Sequence, residues 1–128
     1  MSSRPLKLFF DGGCRPNPGR IEAAVVVRGV SHLFGDLGQG SNMDAEWLAL
    51  IKAIELAQQS GAGNFVLLGD ARAVIAQANG QAKCRGVAEQ AHFARFSAMI
   101  QQEHPPRIRW VARSQNLAGI VLAARHER

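Results

Sequence analysis

The sequence predicts a mixed α/β domain, with one five-stranded sheet, part antiparallel and part parallel, and helices on both faces. Three observations carry this. The first third of the chain holds three strand-like runs in succession. The remainder alternates helix-period segments with short apolar runs. One of those runs, Phe65-Val66-Leu67-Leu68, is apolar throughout, the pattern of a strand buried on both faces. Residues 1–128 are expected to form a single domain, since this length is that of one ordinary domain and suffices for one core.

Each element has its own signal. Leu6 to Phe10 reads as a strand that stops at Asp11-Gly12-Gly13. Ala23 to Val30 is valine-rich and reads as a second, and His32 to Leu37 as a third, with Gly29 near the turn. Met43 to Gln59 is helical, with Gly61 where a C-terminal cap belongs. The buried Phe65–Leu68 strand ends at Gly69-Asp70, and a helix is expected over Ala71 to Asn79. Val87 to Gln102 reads as a long helix with Phe93, Phe96 and Ile100 at helical spacing, broken by Pro105-Pro106. Ile108 to Val111 is a short strand, and Leu117 to Arg125 a last helix. Trp47 and Trp110, on a helix and a strand, are expected in the core.

Composition narrows the function classes. Hydrophobic residues are 47% and charged residues 20%, a globular balance. No apolar run of roughly 18 residues offers a membrane span. No signal peptide is visible at the N-terminus, and two cysteines, Cys14 and Cys84, make no disulfide framework or zinc pattern. A reducing, cytoplasmic setting is the expectation. Lys and Arg number 15 against 10 Asp and Glu, a net charge of +5. Such a charge serves solubility, or it serves a polyanionic partner, to whose phosphates arginine suits forked contacts.

Three acids stand in unusual places. Asp11 follows an apolar strand and opens a Gly-rich loop with no helix after it. Asp70 follows the buried strand, where it could equally cap the next helix. On a wheel at ~100° per residue, Glu46 lies in line with Leu50, Ala53 and Ala57, opposite Lys52, Glu55 and Gln59. A carboxylate on an apolar helix face is costly unless compensated. A favourable helix dipole would explain an acid near the helix start but not its face. Three carboxylates brought together repel and raise each other's pKa, and divalent cations relieve that repulsion. Paired ions of this kind are the usual apparatus for displacement at phosphorus.

Four segments carry a family resemblance. Asp11-Gly-Gly-Cys-Arg-Pro-Asn-Pro-Gly19 resembles the opening motif of type 1 ribonuclease H, and Ser41-Asn-Met-Asp-Ala-Glu-Trp-Leu-Ala-Leu50 the second. Leu68-Gly-Asp-Ala-Arg-Ala-Val-Ile75 resembles the third, with Ala71 in place of the usual serine. The segment from Trp110 to Ala123 resembles the last. They occur in family order over nearly the whole chain.

The resemblance implies a ribonuclease H-like fold. It also implies a metal-dependent endoribonuclease that hydrolyses the RNA strand of RNA–DNA hybrids with Mg²⁺ or Mn²⁺ by two-metal chemistry. Asp11, Glu46 and Asp70 match three metal-binding catalytic acids. Gly12, Cys14, Asn17 and Asn42 match positions touching the hybrid's minor groove or backbone, where the 2′-hydroxyl tells RNA from DNA. Arg72 stands at another groove contact. The loop before the last helix lacks the histidine of larger members, and Arg113 resembles the basic residue of compact ones.

The family's fourth acid falls at Ile120, four residues after Asn116, and isoleucine cannot bind Mg²⁺. Glu127 lies about 10 Å further along the helix axis, a poor substitute. His32, His92, His104 and His126 show no ligand spacing and are read as surface residues. The implied partner is an RNA–DNA hybrid, with no membrane, no small-molecule cofactor and a monomeric state. The alternative is a catalytically impaired hybrid-binding or nucleic-acid-binding protein of the same fold, which Ile120 and Ala71 favour and the three intact acids oppose. A different nuclease of the same superfamily is a third reading, which the Asn-Pro-Gly motif opposes.

Overall fold

The structure is a computed structural model that describes residues 4–100 and 105–126. His104 and Glu127 lie outside the described residues, as do the last residues of the expected Val87–Gln102 helix. The strands are β1 (Leu6–Cys14), β2 (Gly19–Val27), β3 (Val30–Phe34), β4 (Gln39–Gly40), β5 (Phe65–Gly69) and β6 (Arg107–Trp110). The helices are α1 (Asn42–Gln59), α2 (Arg72–Ala78), α3 (Val87–Met99) and α4 (Leu117–Ala124). The sheet order is β3-β2-β1-β5-β6, with β4 paired only to β2. Five strands form the expected sheet, and the two-residue β4 is too short to carry a sequence period.

β1 is longer than its apolar run because it has two different partners. Its parallel pairing with β5 ends at Phe9–Leu68, where the apolar run stops. Its antiparallel pairing with β2 continues through Gly12 and Gly13 to Cys14–Ile21. The β2–β3 hairpin turns earlier than the valine run suggests. Arg28 and Gly29, at φ 52° and 75°, form the two-residue turn whose twist suits a hairpin.

Strand alternation divides the core. Leu6, Leu8 and Phe10 of β1 join Trp47, Leu50, Ala53 and Ile54 of α1 in the main cluster, with α2 and α3 on the same side. Phe9 faces the other way, toward a smaller cluster in which Ala24 and Val26 meet Ala118 and Leu122 of α4. Helices therefore cover both faces, three on one and α4 on the other. Trp47 is fully buried, and its indole N–H donates to Gln77 Oε1 at 3.0 Å.

Two sequence expectations are corrected. Trp110 is 42% exposed, because β6 is an edge strand and only Ile108 of it reaches the core. His92 is no free surface residue. Its ring stacks on Trp47 and its Nε2 lies 2.8 Å from Asp44 Oδ1.

Candidate active site

Just past the last parallel pair, β1 delivers Asp11 and the end of β5 delivers Asp70. Two acids thus stand where the parallel β1–β5 pairing ends, on the side where ligand sites form in open α/β sheets. Glu46 joins them from α1. One carboxylate oxygen of each of Asp11, Glu46 and Asp70 lies within 4.8 Å of the others.

Local structure decides the open readings of these acids. The start of α1 is already capped by Ser41 and Asp44, whose side chains bond each other's backbone N–H reciprocally. Glu46 instead turns to β1, where its Oε1 accepts the Gly12 N–H at 2.8 Å. A Cβ at Gly12 would sit 2.1 Å from the Ala45 carbonyl oxygen, so only glycine lets α1 approach β1 this closely. Asp70 is not a helix cap, since α2 starts from Ala71 with no side-chain cap bond.

Asn116 is the site residue that the sequence reading used only as a landmark. It is wholly buried. Its Nδ2 donates to the Phe10 carbonyl at 3.0 Å and to Asp70 Oδ2 at 3.3 Å, while its Oδ1 accepts from Ala118 N at 3.1 Å. One side chain thus caps α4 and ties it to both acid-bearing strands. The available signal was an asparagine directly before a helix, the preferred N-cap type.

The carboxylates are electrostatically costly as a group. Burial, and then the neighbouring Asp70 charge, raise the Asp11 pKa from 3.8 to about 7, against the lowering effect of Arg113. Burial and the Asp11 charge push Glu46 from 4.5 to about 9. Such a group binds protons or a cation. Hard carboxylate oxygens at this spacing fit a divalent ion of the Mg²⁺ type better than a softer metal. Arg113, 89% exposed, reaches to 3.9 Å from Asp70 Oδ2 and leaves most of its guanidinium in water.

Comparison with known proteins agrees with this geometry. Residues 9–126 match a family model described as reverse transcriptase-like. The ribonuclease H1 of the halophilic archaeon Halobacterium salinarum has the same fold at TM-score 0.80 and 27% identity, over 93% of this chain and 94% of that one. The chain belongs to the type 1 ribonuclease H family. The N-terminal ribonuclease H domain of a Mycobacterium tuberculosis protein matches at TM-score 0.73 and 26% identity, over 96% of this chain and 98% of that one. LC11 ribonuclease H1, solved in complex with an RNA/DNA hybrid, matches at 0.72 and 26% over 88% of each chain. No curated protein matches the sequence.

The remaining positions implied by the ribonuclease H resemblance separate into three groups. Cys14, Asn17 and Asn42 come together beside the acids. Asn42 Oδ1 accepts from Cys14 N at 3.1 Å, and Asn17 Oδ1 accepts from Asn42 N at 3.1 Å. Cys14 and Asn42, with Gly12, line a polar cleft of about 330 Å³ that includes Glu46 and Arg113, whereas Asn17 is not part of its wall. The Gly12 N–H itself is taken by Glu46. Arg72 stands apart, with its guanidinium 3.7 Å from the centre of the exposed Trp110 ring.

Ile120 is 51% exposed in the first turn of α4. At its neighbour Gly119, a Cβ would lie 3.6 Å from Asp11 Oδ2. No helix among the described residues is long and apolar enough to cross a membrane.

Proposed function

We propose that this protein hydrolyses the RNA strand of RNA–DNA hybrids, and that Asp11, Glu46 and Asp70 hold the divalent ions, Mg²⁺ or Mn²⁺, that the reaction needs. The observation that carries the reading is the convergence of three carboxylates, from three separate motifs, to within 4.8 Å. When bound, the ions supply the Lewis acidity for displacement at phosphorus. The relative solved with an RNA/DNA hybrid supports the substrate class.

The chain's own residues divide the remaining work. Asn116 fixes the Asp70 carboxylate against the Phe10 carbonyl, and Gly12 fixes Glu46. The polar groups of Cys14, Asn17 and Asn42, with the Gly12 backbone, line the approach for a minor groove and its 2′-hydroxyls. Arg113, exposed and next to Asp70, meets the scissile phosphate, and Arg72 carries a further strand contact. Residues 1–128 act as one catalytic domain and as a monomer. The setting is a reducing cytoplasm, in keeping with the free thiols of Cys14 and Cys84.

A second reading is a hybrid-binding protein with little catalysis. Ile120 in the place of the family's fourth acid favours it. One assay separates them: cleavage of a labelled RNA–DNA hybrid with Mg²⁺ and with Mn²⁺, beside duplex RNA and duplex DNA. The nuclease reading expects cleavage of the hybrid alone, and a loss of at least a hundredfold in Asp11→Asn with hybrid binding retained. Binding without cleavage in either metal selects the second reading. Equal cleavage by Asp11→Asn and the parent places the chemistry elsewhere.

A further inference from the structure

Among the described residues, two concavities away from the acids are larger than the cleft beside them. They lie on the sheet face that α4 only partly covers. α4 packs over β1 and β2. Beyond it, no described helix packs on that face of β5 and β6, and the strand register decides what is displayed there. Lys7 pairs with Val66, which pairs with Arg107. Phe9 pairs with Leu68, which pairs with Arg109. Paired residues of neighbouring strands share a face and residues two apart along a strand do too, so these rows form one surface.

That surface lines a groove of about 420 Å³. It shares Pro5, Lys7 and Phe9 with an adjoining concavity of about 960 Å³, to which Arg4 and Arg28 contribute. No acidic residue among the described ones lines either one. None of the five cations has an ion-pair partner among the described residues, whereas Arg95, Arg113 and Arg125 each meet a carboxylate. Arg107 alone is held, through a bond to Asn64 Oδ1 at 2.8 Å. The floor between the cations is apolar, made by the half-buried Leu68 and Phe9 and the buried Val66. At one end the groove reaches Gln115, in the same turn as Arg113. Lys7 lies four residues before Asp11, roughly 13 Å away along β1.

We propose that this open half of the sheet is a second nucleic-acid site, which binds a single strand. Cations ranged along a groove track a phosphodiester backbone. An apolar floor with an aromatic edge accepts unpaired bases, which a duplex keeps stacked inside. The groove's reach to the Arg113 turn lets a single-stranded tail continue from a hybrid at the acids. The proposal rests on nucleic acid being the substrate class.

The test uses Lys7→Gln/Arg109→Gln, two exposed residues with no ion pair among the described residues, and then adds Arg107→Gln. Binding of a fluorescent single strand of about 16 nucleotides, as DNA and as RNA, is followed by anisotropy across salt in EDTA. The double variant is expected to lose about tenfold in affinity, with a log–log salt slope shallower by about 1.4, since each single-strand phosphate contact contributes about 0.7. Cleavage of a blunt hybrid is expected to stay at the parent rate. Unchanged single-strand affinity and slope in both variants would overturn the site. A blunt DNA duplex that weakens as much as the single strand would overturn its single-strand character. A parent that binds single strands through these residues but cleaves no hybrid would leave this site standing while the nuclease reading fell.

Discussion

The two helices that flank the acids, α1 and α4, do unlike jobs. On the α1 side every position is fixed. Ser41 and Asp44 cap the helix, Gly12 admits it to contact distance, and Glu46 is held on the Gly12 N–H. On the α4 side the helix supplies a buried tie through Asn116 and then no carboxylate, only Gly119 near Asp11 and the exposed Ile120. The difference teaches that the cluster's architecture and its ligand count are separable. Strand ends, one close glycine and one buried asparagine hold three acids together whether or not a fourth is present.

The sharpest way to break the comparison is Gly12→Ala. The added methyl meets the Ala45 carbonyl, a backbone atom that cannot turn aside. Overpacking of this kind costs about 1–3 kcal/mol and sometimes more. It also pushes α1, and with it Glu46, away from β1. A clear fall in melting temperature and a near-complete loss of hybrid cleavage are expected. A variant with parental melting and parental cleavage would mean that the close approach of α1 does not position Glu46.

Next in size is the pH response of the metal-free protein. The folded pKa values of Asp11 and Glu46, about 7 and about 9, exceed their ordinary 3.8 and 4.5. In that interval the unfolded chain has lost protons that the fold still holds. The contribution of these carboxyls is therefore full below about pH 4 and is lost as pH rises toward about 9. In EDTA the melting temperature is expected to fall over this window, and Glu46→Gln should flatten the fall. Added Mg²⁺ should stabilise the parent more at the alkaline end, where no proton has to be displaced. The same fall in parent and Glu46→Gln would remove Glu46 from the burden.

Legibility in the sequence followed the scale of the physics. The apolar period exposed Glu46 as a carboxylate on the wrong face of a helix, and the strand ends exposed Asp11 and Asp70, because burial against a core is a regular pattern. The turn at Arg28-Gly29 was half legible, since Gly29 marked it but the valine run carried the expected strand on to Val30. Trp110 was misread because whether a strand lies at an edge is settled by sheet order, which its four residues do not encode. Asn116 was half visible. Its cap role has a local signal, but its bonds to Phe10 and Asp70 span 106 and 46 residues of sequence.

The smallest expected effect is also the most discriminating, and it belongs to the α4 side. Ile120→Asp removes a half-exposed side chain, so the cavity cost of a core isoleucine does not apply. An acid in the first turn of α4 gains roughly 0.3–1 kcal/mol from the helix dipole. Repulsion from Asp11 and Asp70 opposes that gain when metal is absent. Without metal the melting temperature should therefore change little. With Mg²⁺ the variant should gain more stability than the parent, because a further oxygen ligand binds the ion only in the fold. Hybrid cleavage should rise roughly tenfold, equivalent to about 1.4 kcal/mol of barrier. Gly119→Asp is the control, since a Cβ at position 119 would lie 3.6 Å from Asp11 Oδ2. If the metal-dependent gain appears at 119 and not at 120, the fourth ligand belongs one residue earlier on the helix. If it appears at neither, α4 has no part in holding the ion, and the asymmetry between the two helices is complete.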